Sequence, residues 1–120
     1  MLSFLRIALF LIVLAAILYA GLRPQPIAQE FDHQDLLHHA LAFAALVCSA
    51  RLAFPATHIF WTVLYSLLLG LIIELTQGLM PLRTPSVEDM AANIAGVLLG
   101  LAIALLVRQR VNRHHARNGW

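Results

Sequence analysis

Four long apolar stretches restrict this chain to a membrane fold. The hydrocarbon core of a bilayer takes about 20 apolar residues of helix, and the stretches 2–22, 36–54, 59–80 and 90–107 are long enough. Hydrophobic residues make up 61% of the 120 positions and charged residues 12%, whereas a soluble domain is about 45 to 50% apolar and about 25% charged. We therefore predict an all-α, polytopic membrane protein, a four-transmembrane-helix bundle that forms a single domain over residues 1–120.

The arginines predict how the spans are oriented. All eight basic residues are Arg, and an arrangement with both termini in the cytoplasm places six of them inside and two outside. Such an excess on the cytoplasmic side is typical of membrane proteins. The basic C-terminal tail 108–120 is interpreted as an orientation signal that touches anionic lipid, so the pI near 9.3 does not indicate a nucleic-acid partner. The inner set is Arg6, Arg51, Arg108, Arg110, Arg113 and Arg117, and the outer set is Arg23 and Arg83.

The first span has one alternative interpretation, a cleaved signal peptide. Arg6 precedes an apolar run, as in secretory signals. However, Leu18 is bulky at a position where cleavage after Ala20 requires a small residue. Cleavage is therefore the weaker alternative, and it would leave the other three spans in the same orientation.

Polar residues gather at the predicted outer ends of the last three spans. Each of these ends carries two polar residues three or four positions apart, which places each pair on one helix face. The loop between the third and fourth spans adds an arginine. Because all of these positions lie at a similar depth, we expect them to form one ligand-binding or functional cluster. Its members are Asp35, His39, Glu74, Gln77, Arg83, Asp89 and Asn93.

Glu74 is the most informative member of this cluster. An ionisable residue at the centre of a span costs about 2.5 to 3.5 kcal/mol on insertion scales, and less near the interface. Its presence therefore requires a partner, and the predicted partner is Arg83 or His39. The inner halves of the spans offer only uncharged polar side chains, so ion or proton transport is disfavoured.

Helix capping is a structural alternative for the two aspartates. Ser86 and Asp89 have the spacing of a capping box before an apolar run, and Asp32 and Asp35 repeat that spacing. Carboxylates are also favourable at a helix N-terminus. Capping and a role in the site both stay open for Asp35 and Asp89.

Two glycines on the fourth span predict a close contact between helices. Gly96 and Gly100 form a small-xxx-small pair, which favours packing within the bundle over a dimer contact.

A metal site that combines His39 with Glu74 and Asp89 is a weaker alternative, because the three do not form a paired ligand spacing along the chain. We predict no metal and no cofactor.

The order of these residues resembles a known family. The third and fourth spans read Gly70-x-x-x-Glu74-x-x-Gln77-x-x-x-Pro81-x-Arg83-x-x-Ser86-x-x-Asp89-x-x-x-Asn93-x-x-Gly96-x-x-x-Gly100. This run resembles the VanZ-like family of small bacterial integral membrane proteins. Asp35 and His39 resemble the family's Asp-Lys-x-x-His-Phe-x-x-Tyr segment, with Leu36, Ala40 and Phe43 in place of its Lys, Phe and Tyr. The resemblance covers about residues 35–100.

The resemblance implies a multi-pass protein of the bacterial cytoplasmic membrane, related to a protein linked with teicoplanin-type glycopeptide resistance. Our leading hypothesis is that the cluster binds or shields a cell-envelope lipid or peptidoglycan precursor, with Arg83 meeting a phosphate or carboxylate. One alternative is an intramembrane enzyme that uses Glu74 with Asp89 or His39 as an acid/base pair. Another is a structural scaffold. The expected partners are the lipid bilayer and a lipid-linked precursor.

Overall fold

The computed structural model describes residues 2–26, 28–84 and 86–119. Over these ranges the chain forms four α-helices and no β-strand. All four are long and apolar enough to cross a bilayer, which confirms the predicted all-α fold with four candidate spans. The helices are α1 (Leu2–Leu22), α2 (Gln34–Ala53), α3 (Ile59–Gln77) and α4 (Val87–Arg117).

The helix bounds differ from the predicted spans at α2, α3 and α4. α3 ends at Gln77 rather than at residue 80, because the Gly78 amide closes the last turn onto the Glu74 carbonyl at 3.0 Å. α4 begins at Val87 and continues to Arg117. The arginine-rich segment 108–117 is therefore an extension of α4 rather than a separate tail, since it contains no proline or glycine to end the helix.

The two predicted capping motifs fold differently. Ser86 is the N-cap of α4, and its hydroxyl accepts a hydrogen bond from the Asp89 amide at 3.0 Å. The N-cap of α2 is His33, which has a φ of 61° and makes no side-chain capping bond. The interpretation of Asp32 as a cap is therefore wrong. The first turn of α2 begins two residues before the predicted position, at Gln34.

α2 lies at the centre of the bundle and packs against the other three helices. It runs in the same direction as α4, because Gly96 lies against Ala40 and Gly100 lies against Ala44. α1 and α3 run in the opposite direction. We call the end where α1 and α3 finish and α2 and α4 begin the polar end.

Two glycines allow α2 and α4 to touch through their backbones. A Cβ atom on Gly100 would lie 2.6 Å from the carbonyl oxygen of Ala44, and one on Gly96 would collide with the carbonyl group of Ala40. A side chain of any size at either position would force the helices apart. The two glycines therefore join two helices of the same chain. They lie on one face of α4, and this face begins at the polar end.

The core is small, and most large apolar side chains face outward. A buried cluster joins Ile17, Phe43, Val47, Ile73 and Val97 from all four helices. Many leucine, isoleucine and phenylalanine side chains elsewhere on the helices are exposed. An exposed apolar surface of this extent is expected where lipid tails are the solvent.

Candidate functional site

Residues from all four helices meet at the polar end. α2 supplies Asp35 and His39 at its beginning, and α4 supplies Asp89 and Asn93 at its beginning. α3 supplies Glu74 in its last turn. The remaining contributions are Gln77 at the end of α3, Arg83 in the loop before α4 and the last carbonyl groups of α1.

Asn93 is the central residue of this arrangement. Its side chain is 1% exposed, and its Oδ1 lies 2.7 Å from His39 Nδ1. Because an amide oxygen only accepts, the ring N–H of His39 donates in this bond. On the other side, a Cβ on Gly70 would lie 3.0 Å from Asn93 Nδ2. Asn93 therefore touches both α2 and α3.

His39, Glu74 and Asp89 form a compact group, which we call the three-residue cluster. Each offers one nitrogen or oxygen atom within 4.8 Å of the other two. His39 Nε2 lies 3.8 Å from Asp89 Oδ2. Both carboxylates are buried, with Glu74 7% and Asp89 6% exposed. The group thus holds two acids and one imidazole from three different helices.

Each carboxylate of the cluster has one buried oxygen without a hydrogen-bond partner among the described residues. Glu74 Oε2 accepts a hydrogen bond of 3.3 Å from the Ser86 amide. In a capping box an acid three residues further along the same helix accepts this bond, so here Glu74 of α3 takes that role. Glu74 Oε1 and Asp89 Oδ1 are both buried, and neither has a hydrogen-bond partner among the described residues. Buried oxygens of this kind are rare and require an explanation.

Gln77 and Arg83 bind the end of α1. Gln77 Nε2 donates to the Gly21 carbonyl at 2.9 Å. Arg83 Nη2 donates to the Ala20 carbonyl at 2.7 Å, and Arg83 Nε donates to the Arg23 carbonyl at 3.1 Å. Carbonyl groups in the last turn of a helix have no partner within the helix, so these bonds satisfy them.

The predicted pairing of Glu74 with Arg83 is not observed. Among the described residues the only ion pair within 4.0 Å is that of His39 with Asp89. The guanidinium of Arg83 is directed to α1 because its flat fork of donors reaches two carbonyl groups there at once. His39, the other predicted partner, is the basic residue that lies within the cluster.

We expect Arg83→Lys to lower the stability of the bundle. A lysine cannot reach both α1 carbonyls with one fork, and each hydrogen bond from a charged donor contributes about 1.5 to 3 kcal/mol. The midpoint of thermal unfolding in detergent measures this loss. Arg108→Lys, on the exposed extension of α4, is the matched control. Equal midpoints for the two variants would show that Arg83 does not hold α1.

A cavity of about 300 Å³ opens beside the three-residue cluster. It lies between the end of α1, the beginning of α2 and the end of α3. The residues Arg83, Gln77, Asp35, His39 and Asp89 all line it, whereas Glu74 and Asn93 do not. Five of the seven residues predicted to form a cluster therefore face one cavity, and the other two, Glu74 and Asn93, lie next to His39.

The sequence analysis missed part of the wall of this cavity. Gln34 and His38 line it, and Gln34 Nε2 lies 3.5 Å from His38 Nε2. Their spacing of four residues was the available signal. Ala20 and Gly21 also line the cavity, and their carbonyl groups carry no signal in the sequence because every residue has one.

A second cavity lies at the opposite end of the bundle and is apolar. Its volume is about 480 Å³, and Phe10, Leu14, Leu46, Phe54 and Leu69 contribute to its lining. The polar side chains there are hydroxyl groups such as those of Thr62 and Ser66. Among the described residues that line it, none is acidic or basic.

A family model described as VanZ/LLP1 matches residues 3–108 of the chain. The chain belongs to the VanZ/LLP1 family. The match includes all four candidate spans up to the extension of α4, and every residue of the polar end. No curated protein and no solved structure matches the chain. As a VanZ/LLP1 protein with four apolar helices, the chain is a multi-pass membrane protein.

Proposed function

We propose that this VanZ/LLP1 protein lies in the bacterial cytoplasmic membrane with both termini inside, and that its polar end binds an anionic cell-envelope lipid. The ligand class is a polyprenyl-linked peptidoglycan precursor or a related phosphate-bearing lipid. Binding or shielding such a precursor is the means by which a protein of this type would act in the cell envelope or in teicoplanin-type glycopeptide resistance.

The cavity at the polar end carries this proposal. It is large enough for a phosphate and part of a sugar, and its wall combines one guanidinium, three side-chain amides and two imidazoles with the carboxylates of Asp35 and Asp89. Arg83 uses Nε and Nη2 for hydrogen bonds to carbonyl groups at the end of α1, and its Nη1 makes no hydrogen bond to the described residues. That donor is available for a phosphate oxygen, which arginine binds through charge-assisted hydrogen bonds.

The orientation is supported by the distribution of arginines between the two ends. Arg51 at the end of α2 and the arginines of the α4 extension lie at the end opposite to the polar end. Arg23 and Arg83 lie at the polar end. The positive-inside rule then directs the polar end to the outer surface, where envelope precursors are consumed.

We expect Ala42→Phe and Arg83→Gln to weaken precursor binding. Ala42 lines the cavity, so a phenyl ring there fills the space, while Arg83→Gln removes the charged donor. A lost charged hydrogen bond of about 1.5 to 3 kcal/mol corresponds to about 10- to 150-fold in affinity. Native mass spectrometry of the protein in nanodiscs, with the polyprenyl-diphosphate-linked muropeptide as probe, measures this change.

Arg23→Gln is the matched control for this experiment. Arg23 has the same charge at the same end, but its guanidinium lies 5.8 Å from the centre of the Tyr19 ring, and it is not part of the cavity wall. Each variant is first checked for an unchanged elution volume and for its melting temperature. If the native chain does not bind the probe, or if Ala42→Phe and Arg23→Gln bind it alike, the proposal is wrong.

A second candidate function is an intramembrane acid/base enzyme. The observation that favours it is the presence of two carboxylates and one imidazole within 4.8 Å of each other, with His39 and Asp89 facing the cavity. Such groups could exchange a proton with a lipid-linked substrate. The appearance of a product during the binding experiment would distinguish an enzyme from a binding protein.

A further inference from the structure

We propose that His39, Glu74 and Asp89 bind a divalent transition-metal cation between α2, α3 and α4. The three side chains come from three helices, which is why their spacing along the chain predicted no metal. This inference concerns cation binding alone and holds even if the lipid ligand proposed above is wrong. Where both hold, the cation supplies the charge that an anionic headgroup would meet.

The geometry is close to that of a metal site. The three candidate ligand atoms lie within 4.8 Å of one another, and His39 Nε2 and Asp89 Oδ2 are 3.8 Å apart. Ligands of a tetrahedral Zn²⁺ at about 2.1 Å lie about 3.4 Å from each other. Each atom then has to move inward by about 0.8 Å or less, which small side-chain rotations provide without moving a helix.

The unpartnered carboxylate oxygens are a second, independent observation. Glu74 and Asp89 are both more than nine-tenths buried, at 7% and 6% exposed. Glu74 Oε1 and Asp89 Oδ1 have no hydrogen-bond partner among the described residues. Within the described part of the chain, no arginine lies within 4.0 Å of either carboxylate. Two buried carboxylates at this distance repel each other, and a cation between them removes the repulsion and supplies the missing partner.

His39 is held in the orientation that a metal ligand requires. Its Nδ1 donates to Asn93 Oδ1 at 2.7 Å, which leaves the lone pair on Nε2, 3.8 Å from Asp89 Oδ2. Histidines that bind metals donate their other ring N–H to an acceptor in the same way, and this bond fixes the tautomer. Asn93 is 1% exposed, so water does not compete for the contact.

The ligand set favours Zn²⁺ or Mn²⁺. Imidazole binds zinc, iron and nickel better than magnesium or calcium, whereas carboxylates also suit manganese. One imidazole with two carboxylates makes three protein ligands, which is the number typical of a site that keeps a position open for water or substrate. His39 and Asp89 both line the cavity, so that position faces the space in which a phosphate would bind.

The experiment is a direct measurement of cation binding by the full chain in detergent. Protein stripped with a chelator is titrated with Zn²⁺ and with Mn²⁺ by calorimetry, and melting temperatures are measured with and without each cation. We expect one equivalent of at least one cation to bind and to raise the melting temperature. His39→Gln, Glu74→Gln and Asp89→Asn should each weaken binding at least tenfold and lose the rise.

His38→Gln is the matched control, because it removes the same side chain one position away, where the helix turns it about 100° from His39. We expect it to bind the cation within threefold of the native chain. Glu74→Gln and Asp89→Asn keep the size of each side chain, and the melting temperature without cation shows that they fold. If the native chain binds neither cation, or if His39→Gln and His38→Gln bind alike, the proposed metal site does not exist.

Discussion

Gly96→Val is expected to remove most of the folded protein. The Cβ atom alone would collide with the carbonyl group of Ala40, and it would lie 2.9 Å from the Ala40 Cα. These are backbone atoms, so no side-chain rotation relieves the contact and α4 has to move away from α2. Overpacking a core costs about 1 to 3 kcal/mol and sometimes more. We expect at least about 3 kcal/mol here, because helices in lipid associate mainly through such close packing.

Ala95→Val is the matched control for Gly96→Val. It introduces the same side chain at the neighbouring position, which is exposed on the outer surface of α4. The yield of monodisperse protein in detergent and the melting temperature measure both variants. Ala95→Val should behave like the native chain. If Gly96→Val melts at the temperature of Ala95→Val, the close contact between α2 and α4 is not what holds the bundle.

Asn93→Leu is expected to weaken cation binding about 10- to 100-fold, which is the usual cost of losing the partner that orients a metal ligand. Leucine has the same branched shape and the same number of side-chain heavy atoms as asparagine, although its methyl groups are bulkier, and it cannot accept the hydrogen bond from His39 Nδ1. The imidazole then loses its fixed orientation, and its Nε2 is no longer directed to Asp89. Calorimetric titration with Zn²⁺ and Mn²⁺ measures the change in affinity.

Asn93→Asp separates this orienting effect from a general disturbance of the site. Aspartate keeps an oxygen at the position of Asn93 Oδ1, so the bond from His39 remains, and the affinity should stay within a few-fold of the native value. The melting temperature without cation shows whether Asn93→Leu is folded. Equal cation affinities for Asn93→Leu and Asn93→Asp would contradict the role of Asn93 as the residue that orients His39.

These two experiments concern one structural unit. The stripe formed by Asn93, Gly96 and Gly100 runs along one face of α4 against α2. The glycines bring the two helix backbones together, and this places the beginning of α4 close enough for Asn93 to reach His39. A change that separates the helices at Gly96 therefore also opens the cluster at the polar end.

Helix periodicity was sufficient to predict that Asp35, His39, Asp89 and Asn93 lie together at one end of the bundle, although Gln34 and His38 were missed. Asp89 and Asn93 are four residues apart, as are Asp35 and His39, so each pair shares a face. Alternation of spans then brings the beginnings of α2 and α4 to the same end as the last turn of α3. These relations depend only on the helix repeat and the length of each span, both of which can be counted.

The partner of each side chain could not be predicted in this way. Arg83 was expected to pair with Glu74, yet its donors reach the carbonyls of Ala20 and Arg23. Opposite charges suggested the first pairing, whereas the second depends on where α1 ends. Backbone carbonyls carry no signature in the sequence, and α1 offers no charged side chain at its C-terminal end to mark it as part of the cavity.

The amino-acid sequence by itself determined that the chain lies in a bilayer and that it forms a bundle of helices. Four apolar stretches can be buried only in lipid, where each must form a helix because no water is present to satisfy the backbone. The tertiary structure decided what the polar residues do. It brought His39, Glu74 and Asp89 within 4.8 Å of one another and directed Arg83 to α1. The reason is that distances between side chains on different helices depend on how closely the backbones pack, and periodicity within one helix does not contain that information.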